Sequence, residues 1–565
     1  ITSQIVEEMR DALAPHETIR VEWLNCAILQ RNGSETAMNI GQRTDIDASI
    51  VIWGVYVGTD RESKLNIFFD IVKEKETYLG EGFNQRFGPD SIQPSMFNFI
   101  ADIGTQTGQM VAFASGLALF NSWKFLAAEP FFDTAIAVAE QQMASEFSIA
   151  VRFYRSTNYL HLGRANEAKE DLESILPITT SDSDLYLSTL NNIGGVYSSL
   201  GDKQQALGLY NQALPIQRDV GDRAGEARTI NNIGLVYSEL GAKQQALDFY
   251  NQALSIQREV GDKSGEATTL NNIGLVYSDL GEKQQALDFY NQALLLRREV
   301  GDKAGEARTI NNIGLVYNAL GDKQQALDFY NQALPIQQEV GDKAGEARTI
   351  NNIGGVYSAL GDKQQALDLY NQALPLRREI GDKAGEATTL NNIGSIYSAL
   401  GDKDQAFNFY NQALPIQREV GNKAGEATTL TNIGGVYWRH GDAQQALDFY
   451  NQAFSIQREI GDRASEAATL NNIGRIYWER GDTQQAFDFL NQALFLQQEI
   501  GDKWGVNQTR FNIGVAYLAK GDLSKAEEQL SIAFSANESE RDPNLNEFQY
   551  LLDDVRKQIA EQDGN

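Results

Sequence analysis

The feature that most constrains this chain is self-similarity at a fixed interval. The tetrad Asn-Asn-Ile-Gly begins at residues 191, 231, 271, 311, 351, 391 and 471, always 40 residues or a multiple apart. In two further copies Thr431 and Phe511 take its first place, so nine clear copies run from about Leu187 to about Ala536. A chain of 565 residues is too long for one ordinary core, but stacked repeats grow in one dimension and escape that limit.

Each copy reads as two helices. Ile230, Ile233, Val236, Tyr237 and Leu240 recur at steps of three and four, which is one helical face, and Gly241 closes it. After Gly321, Asp322 is suited to cap a helix start, with Gln325 three residues on completing a capping box. Ala326, Leu327, Phe329, Tyr330, Ala333, Leu334 and Ile336 form the second apolar face. Gly341 then ends the helix where a left-handed residue is wanted, and Asp342 caps the next. Neither helix buries its face alone, so successive copies must stack.

The order Ile313, Gly314, Tyr317, Gly321, Ala326, Tyr330, Ala333 resembles the tetratricopeptide repeat signature. The unit exceeds the 34-residue form by six residues, because the second helix is extended before "EVGDKAGE". In this it is similar to the repeats of kinesin light chains, spindle-orientation adaptors and many bacterial signalling proteins. The resemblance implies a mostly α fold, a right-handed α-solenoid superhelix of helix pairs. Two weaker copies precede the nine. Gly116, Leu119, Ala128, Phe132 and Ala135 fit one, with Trp123 in place of the turn glycine. Tyr159, Gly163, Ala168 and Leu172 fit the other, with Ser156 in place of the small glycine. The expected division is a small α/β domain at 1–105, two degenerate repeats at 106–186, nine repeats at 187–541 and a capping helix with its tail at 542–565. The cap's apolar stripe is Leu545, Phe548, Leu552, Val555 and Ile559, after Pro543.

Residues 1–105 lack the period. Ile5 to Leu13 and Ala37 to Arg43 read as helices, and Ile19 to Leu24 as a strand. Ser49 to Val57 and Leu65 to Val72 are rich in β-branched and aromatic residues and read as strands around a polar turn at Asp60–Ser63. "DASIVIWGVYVGT" followed by "KLNIFFDIV" resembles the small amino-terminal α/β domain of TolB-type proteins. No propeller follows, so TolB's own role does not carry over.

The 76 acidic residues against 48 basic ones, a net charge of −28, argue against a nucleic-acid partner, which would need clustered cations. His16, His161 and His440 lie far apart, Cys26 is the sole cysteine, and no phosphate-loop motif occurs. No metal, cofactor or catalytic site is therefore expected. The single cysteine favours a reducing, cytoplasmic setting, and no apolar run is long enough to span a bilayer. The chain opens at Ile1 without a methionine, which points to a piece of a longer protein with an upstream domain outside it.

A second stripe on the first helix, Arg308, Asn311, Leu315, Asn318 and Ala319, matches positions that line the concave groove of tetratricopeptide proteins. The resemblance implies that a protein or peptide segment docks there. Asn191, Asn231, Asn271, Asn311, Asn351, Asn391 and Asn471 would form a ladder able to pair with a peptide backbone. Hydrogen bonding to a neighbouring helix accounts for them equally well. Arg228, Arg308 and Arg348 alternate with threonine at the first groove position and could meet a partner's carboxylates. Pairing with Glu226, Glu306 or Glu346 is the competing reading, slightly favoured. Trp438 and Trp478 replace the usual serine, with Arg439 and Arg475 near, and make the sharpest candidate for a partner's anchor.

The expected function is thus a non-catalytic scaffold in bacterial signalling or complex assembly, with self-association possible. The alternative is the sensor portion of a larger effector, an NTPase switch or a caspase-like protease, whose catalytic parts lie outside this chain. A purely structural spacer is a third reading.

Overall fold

The computed structural model describes residues 50–59, 62–71, 99–102, 112–113, 115–117, 120, 125–141, 145–179, 183–538 and 545–563. The expected helices at 5–13 and 37–43, the strand at 19–24, His16 and Cys26 lie outside these residues. The chain divides into two compact units between Asp382 and Lys383, and each is taken by itself.

Strand β1 (Ile50–Thr59) pairs antiparallel with β2 (Glu62–Ile71), and β2 with β3 (Phe99–Asp102). The register Thr59 to Glu62 makes the hairpin tighter than the turn at Asp60–Ser63 read from sequence. The strands reach further because ladder bonds continue through residues that polarity had assigned to the turn.

Among the described residues, nine helix pairs run from Asp184–Ser199 with Lys203–Val220 to Lys503–Lys520 with Leu523–Glu538. Helices Ser145–His161 and Ala165–Ile175 precede them, and before these comes Phe125–Gln141. The first of the weaker copies keeps the repeat's central contact. A Cβ on Gly116 would stand 2.8 Å from the Phe132 ring, as one on Gly314 would stand 2.6 Å from Tyr330. The glycine lets the second helix lay its aromatic ring directly on the first helix's backbone. Tyr330, Ala326 and Ala333 are fully buried around that crossing.

The local signals act largely as expected. Asp322 accepts from the Gln325 backbone N–H at 3.0 Å, but the box is not completed: the Gln325 amide donates to the Asp322 carboxylate at 3.0 Å, and the Asp322 backbone N–H donates to the Tyr317 carbonyl at 3.0 Å. Gly341 has φ 75°, the left-handed conformation that costs a residue without Cβ little, and Asp342 caps Gly345 at 2.8 Å. Pro215, Pro335, Pro375 and Pro415 lie inside second helices. Each removes one backbone donor, and Pro335 does so on a solvent-exposed face.

First helices of neighbouring repeats touch, as between Arg223–Glu239, Lys263–Asp279, Lys303–Ala319 and Lys343–Ala359 in one unit. Lys383–Leu400 with Lys423–Arg439, and Arg463–Glu479 with Lys503–Lys520, do so in the other. Among the described residues no contact of that extent joins successive second helices. The stack therefore opens on the second-helix side, and within each unit the first helices line the inner side. The final helix, Leu545–Asp563, buries Leu552 and Val555 against Phe511, Ala526, Leu530 and Ala533, which closes the last repeat.

Candidate functional site

The inner side is built on polar rungs between first helices. The Asn231 carbonyl oxygen accepts from Thr269 at 3.1 Å and from the Asn272 amide at 3.2 Å. Asn271 does the same with Thr309 and Asn312, and Asn311 with Thr349 at 3.1 Å and Asn352 at 3.2 Å. Asn191 accepts from Thr229 at 2.9 Å, Asn391 from Asn432 at 3.2 Å and Asn471 from Asn512 at 2.8 Å.

These bonds correct the groove-ladder expectation. Asn191, Asn231, Asn271, Asn311, Asn391 and Asn471 are all buried, the most exposed at 9%, with their carbonyls already engaged. A peptide backbone has no access to such acceptors. Asn351 is half-buried and also has a partner.

Sequence reading missed the third member of this network. Gln217 accepts from Thr229 at 2.8 Å, and Gln497 from Thr509 at 2.7 Å, so the end of the preceding second helix joins the seam. Only its 40-residue recurrence, at Gln257, Gln337, Gln417 and Gln457, marks it in sequence. Arg297 and Arg377 stand in that place in two copies, paired with Asp302 and Asp382.

Of the two readings of the arginine position, pairing with the nearby glutamates is overturned. Glu226 is taken by Arg218 at 2.7 Å and by Arg223. Glu306 is taken by Arg298 at 2.7 Å and Lys303 at 3.0 Å, and Glu346 by the Gln338 amide at 2.8 Å. The glutamates thus serve the turn between repeats, not Arg228, Arg308 or Arg348. Arg228 and Arg348 are half-buried, whereas Arg308 is buried. Burial, with Arg377 nearby, pulls the Arg348 guanidinium down to about 9, still charged at neutral pH.

In the second unit the serine-to-tryptophan exchange adds a rung two turns further along. The Trp438 indole N–H donates to Glu479 at 2.8 Å, and the Arg475 guanidinium lies 4.5 Å from its ring centroid. Arg439 reaches back to the Ser398 hydroxyl. Trp438 and Trp478 are half-buried and pack against successive repeat cores, Trp478 beside Phe487, Leu490, Ile513 and Ala516. Structure therefore gives both indoles a packing role beside the anchor role expected from sequence. It brings Trp438, Arg439 and Arg475 onto adjacent first helices.

Beside these rungs the inner stripe changes from copy to copy. It carries Leu235, Leu275 and Leu315, then Gly355, in the first unit, and Ser395, Gly435 and Arg475 in the second. A Cβ at Gly355 or Gly435 would meet only the Tyr370 hydroxyl at 3.8 Å or the Tyr450 hydroxyl at 3.5 Å. Burial raises each phenol to about 12, so both act as neutral hydrogen-bonding groups. Ser395 fills the equivalent space and bonds Tyr410 at 3.1 Å.

The repeat geometry agrees with the comparison to known families. The tetratricopeptide repeat model matches residues 147–219, 185–259, 265–339, 306–379, 345–419 and 425–499, together more than half of the chain. The chain belongs to the tetratricopeptide repeat family. The matches begin at residue 147, so they lend the TolB-type resemblance of residues 1–105 no support. No curated protein matches the chain significantly. Similar crystal structures include BtubC (BKLC) from P. vanneervenii, at 23% identity and TM-score 0.33, covering 38% of this chain and 88% of that one. A Rap protein complexed with competence and sporulation factor shares 17% identity at TM-score 0.45, over 63% of this chain and 98% of that one. The apo quorum sensor NprR from B. thuringiensis shares 18% at TM-score 0.44, over 69% and 99%. Likeness at this level carries no argument about function.

Among the described residues there is no group of metal-ligating side chains, and no helix is long and apolar enough to cross a membrane. His161 is half-buried edge-on to Phe120, 5.4 Å between centroids, and desolvation of its ring holds it well below the usual imidazole range.

Proposed function

We propose that this tetratricopeptide repeat protein is a non-catalytic scaffold that holds a protein or peptide segment along the inner side of its first helices. One observation carries this reading. The packing positions repeat almost unchanged, while the inner stripe departs from the pattern where Trp438, Arg439, Arg475 and Trp478 gather on adjacent first helices. Half-buried indoles and guanidinium groups on a preformed frame suit a partner's apolar and acidic side chains. Arg228 offers a further, half-buried cation to carboxylates. The proposed setting is bacterial signalling or complex assembly in the cytoplasm, with the β1–β3 region belonging to a small α/β domain that provides a second contact.

Selection of a displayed random-peptide library on the immobilised full chain tests the reading. Enriched peptides are expected to lose at least about tenfold in affinity on a Trp438→Ser/Trp478→Ser chain, the loss of a hot spot. Serine stands at this position in Ser238, Ser278 and Ser358, so the repeat frame tolerates it. Equal affinity for both chains would overturn the proposal.

A further inference from the structure

Burial along the first helices is uneven in a way the repeat itself does not explain. Ala304, the second residue of its helix, is 5% exposed, whereas its equivalents Ala224, Ala384, Ala424 and Ala464 are exposed. Trp504 at the same position is 56% exposed. Asp302 and Asp342 are buried, at 9% and 1%, whereas Asp222, Asp262 and Asp462 are only half-buried. Arg308 follows the same pattern, being buried where Arg228 is half-buried and Thr428 exposed. All these residues lie at the amino-terminal ends of two neighbouring helices, Lys303–Ala319 and Lys343–Ala359. Arg297, in place of the usual glutamine, covers Asp302 locally, but Asp342 follows the ordinary Gln337 and is still 1% exposed, so its added cover comes from elsewhere in the chain.

The apolar contacts show where. Ala344 packs against the cluster that contains Phe113, Leu117 and Phe120, more than 200 residues away in sequence. Those three side chains are between 0% and 4% exposed, and Phe113 and Phe120 meet Phe132 and Tyr154 through edge and tilted ring contacts. Both partners belong to the same compact unit.

We propose that the aromatic cluster of the first degenerate repeat is an intramolecular clasp. It docks on the repeat-joining edge of helices Lys303–Ala319 and Lys343–Ala359 and closes the start of the inner side there. The occupant is this chain itself, and an outside segment reaching Arg308 has to displace it. Charged groups are buried at the same helix ends: Arg297 pairs with Asp302, and Arg308 and Asp342 are buried as well. This clasp exists whether or not any outside segment binds, so its test is separate from the peptide selection.

Thiol accessibility in the full chain decides it. With Cys26→Ser as background, single cysteines are placed by Ala304→Cys and by Ala424→Cys, and the rate of reaction with a bulky maleimide is measured. Ala304→Cys is expected to react at least about tenfold more slowly, since labelling waits for the clasp to open. Adding Ala344→Lys should bring its rate up to that of Ala424→Cys and leave the latter unchanged. The repeat tolerates a large residue there, as Trp504 shows, and circular dichroism melting verifies that the frame is intact. Equal rates at the two positions in the otherwise unaltered chain would overturn the proposal. So would a slow Ala304→Cys rate that Ala344→Lys does not change.

Discussion

The Asn272 side-chain amide donates to the Asn231 carbonyl oxygen at 3.2 Å, across 41 residues and one repeat boundary. That bond and its copies set the pitch between first helices, because each asparagine accepts from the next repeat at a fixed helical position. Asn231→Ala removes one acceptor and leaves the Thr269 hydroxyl and the Asn272 amide buried without it. The expected cost is about 1–3 kcal/mol in chemical denaturation. A change near zero would mean that the rung is dispensable.

The Gly314 backbone and the Tyr330 ring occupy adjoining space, with a Cβ at 314 falling 2.6 Å from Cε1. Gly314→Ala should therefore separate the two helices of its repeat and cost about 1–3 kcal/mol, as overpacking does. Gly208, with nothing within 4 Å of its Cβ position, is the control, and Gly208→Ala inside a helix should stabilise by about 0.5–1 kcal/mol.

Asp342 gives a pH dependence. Burial raises its carboxyl to about 7, only partly offset by the Gly345 N–H and by Arg308, with Glu346 adding to the rise. Its folded value lies above the unfolded one, so the folded state holds a proton that the unfolded state releases. The contribution to stability is fully present below about 4 and is lost as pH climbs towards about 7. Asp342→Asn should flatten that part of the stability profile while keeping the cap, since Asn422 caps Gly425 at 2.9 Å. An unchanged slope between those limits would assign the pH dependence to other groups.

Trp438 and Arg475 should be energetically coupled. A double-mutant cycle with Trp438→Ser and Arg475→Ala is expected to give about 0.5–1 kcal/mol of interaction, the range for a partly exposed cation–π contact. Additive effects within error would reduce the arrangement to proximity.

Much of this was legible in sequence for a physical reason. Turn glycines, capping aspartates and the apolar steps act within a few residues, so Gly341 with Asp342 fixed where helices end and begin. Facing was less legible. Adjacent residues on a helix point about 100° apart, and Asn311 and Asn312 both proved to enter the seam, one as acceptor and one as donor. Partners across a turn were hidden too. Glu306 was expected beside Arg308 but bonds Arg298, eight residues upstream, because the reversal at Gly301 brings the end of the previous helix over its first turn. The Phe113 cluster's reach to Ala344 depends on how repeats accumulate in space, which no local pattern encodes.

The central claim is that the inner side around Trp438 and Trp478 holds a partner segment. Equilibrium binding of a library-selected peptide to the full chain and to its Trp438→Ser/Trp478→Ser form, with melting curves alongside, tests it most directly. The account predicts at least about a tenfold weaker complex for the double variant at unchanged helicity. Indistinguishable dissociation constants would contradict it.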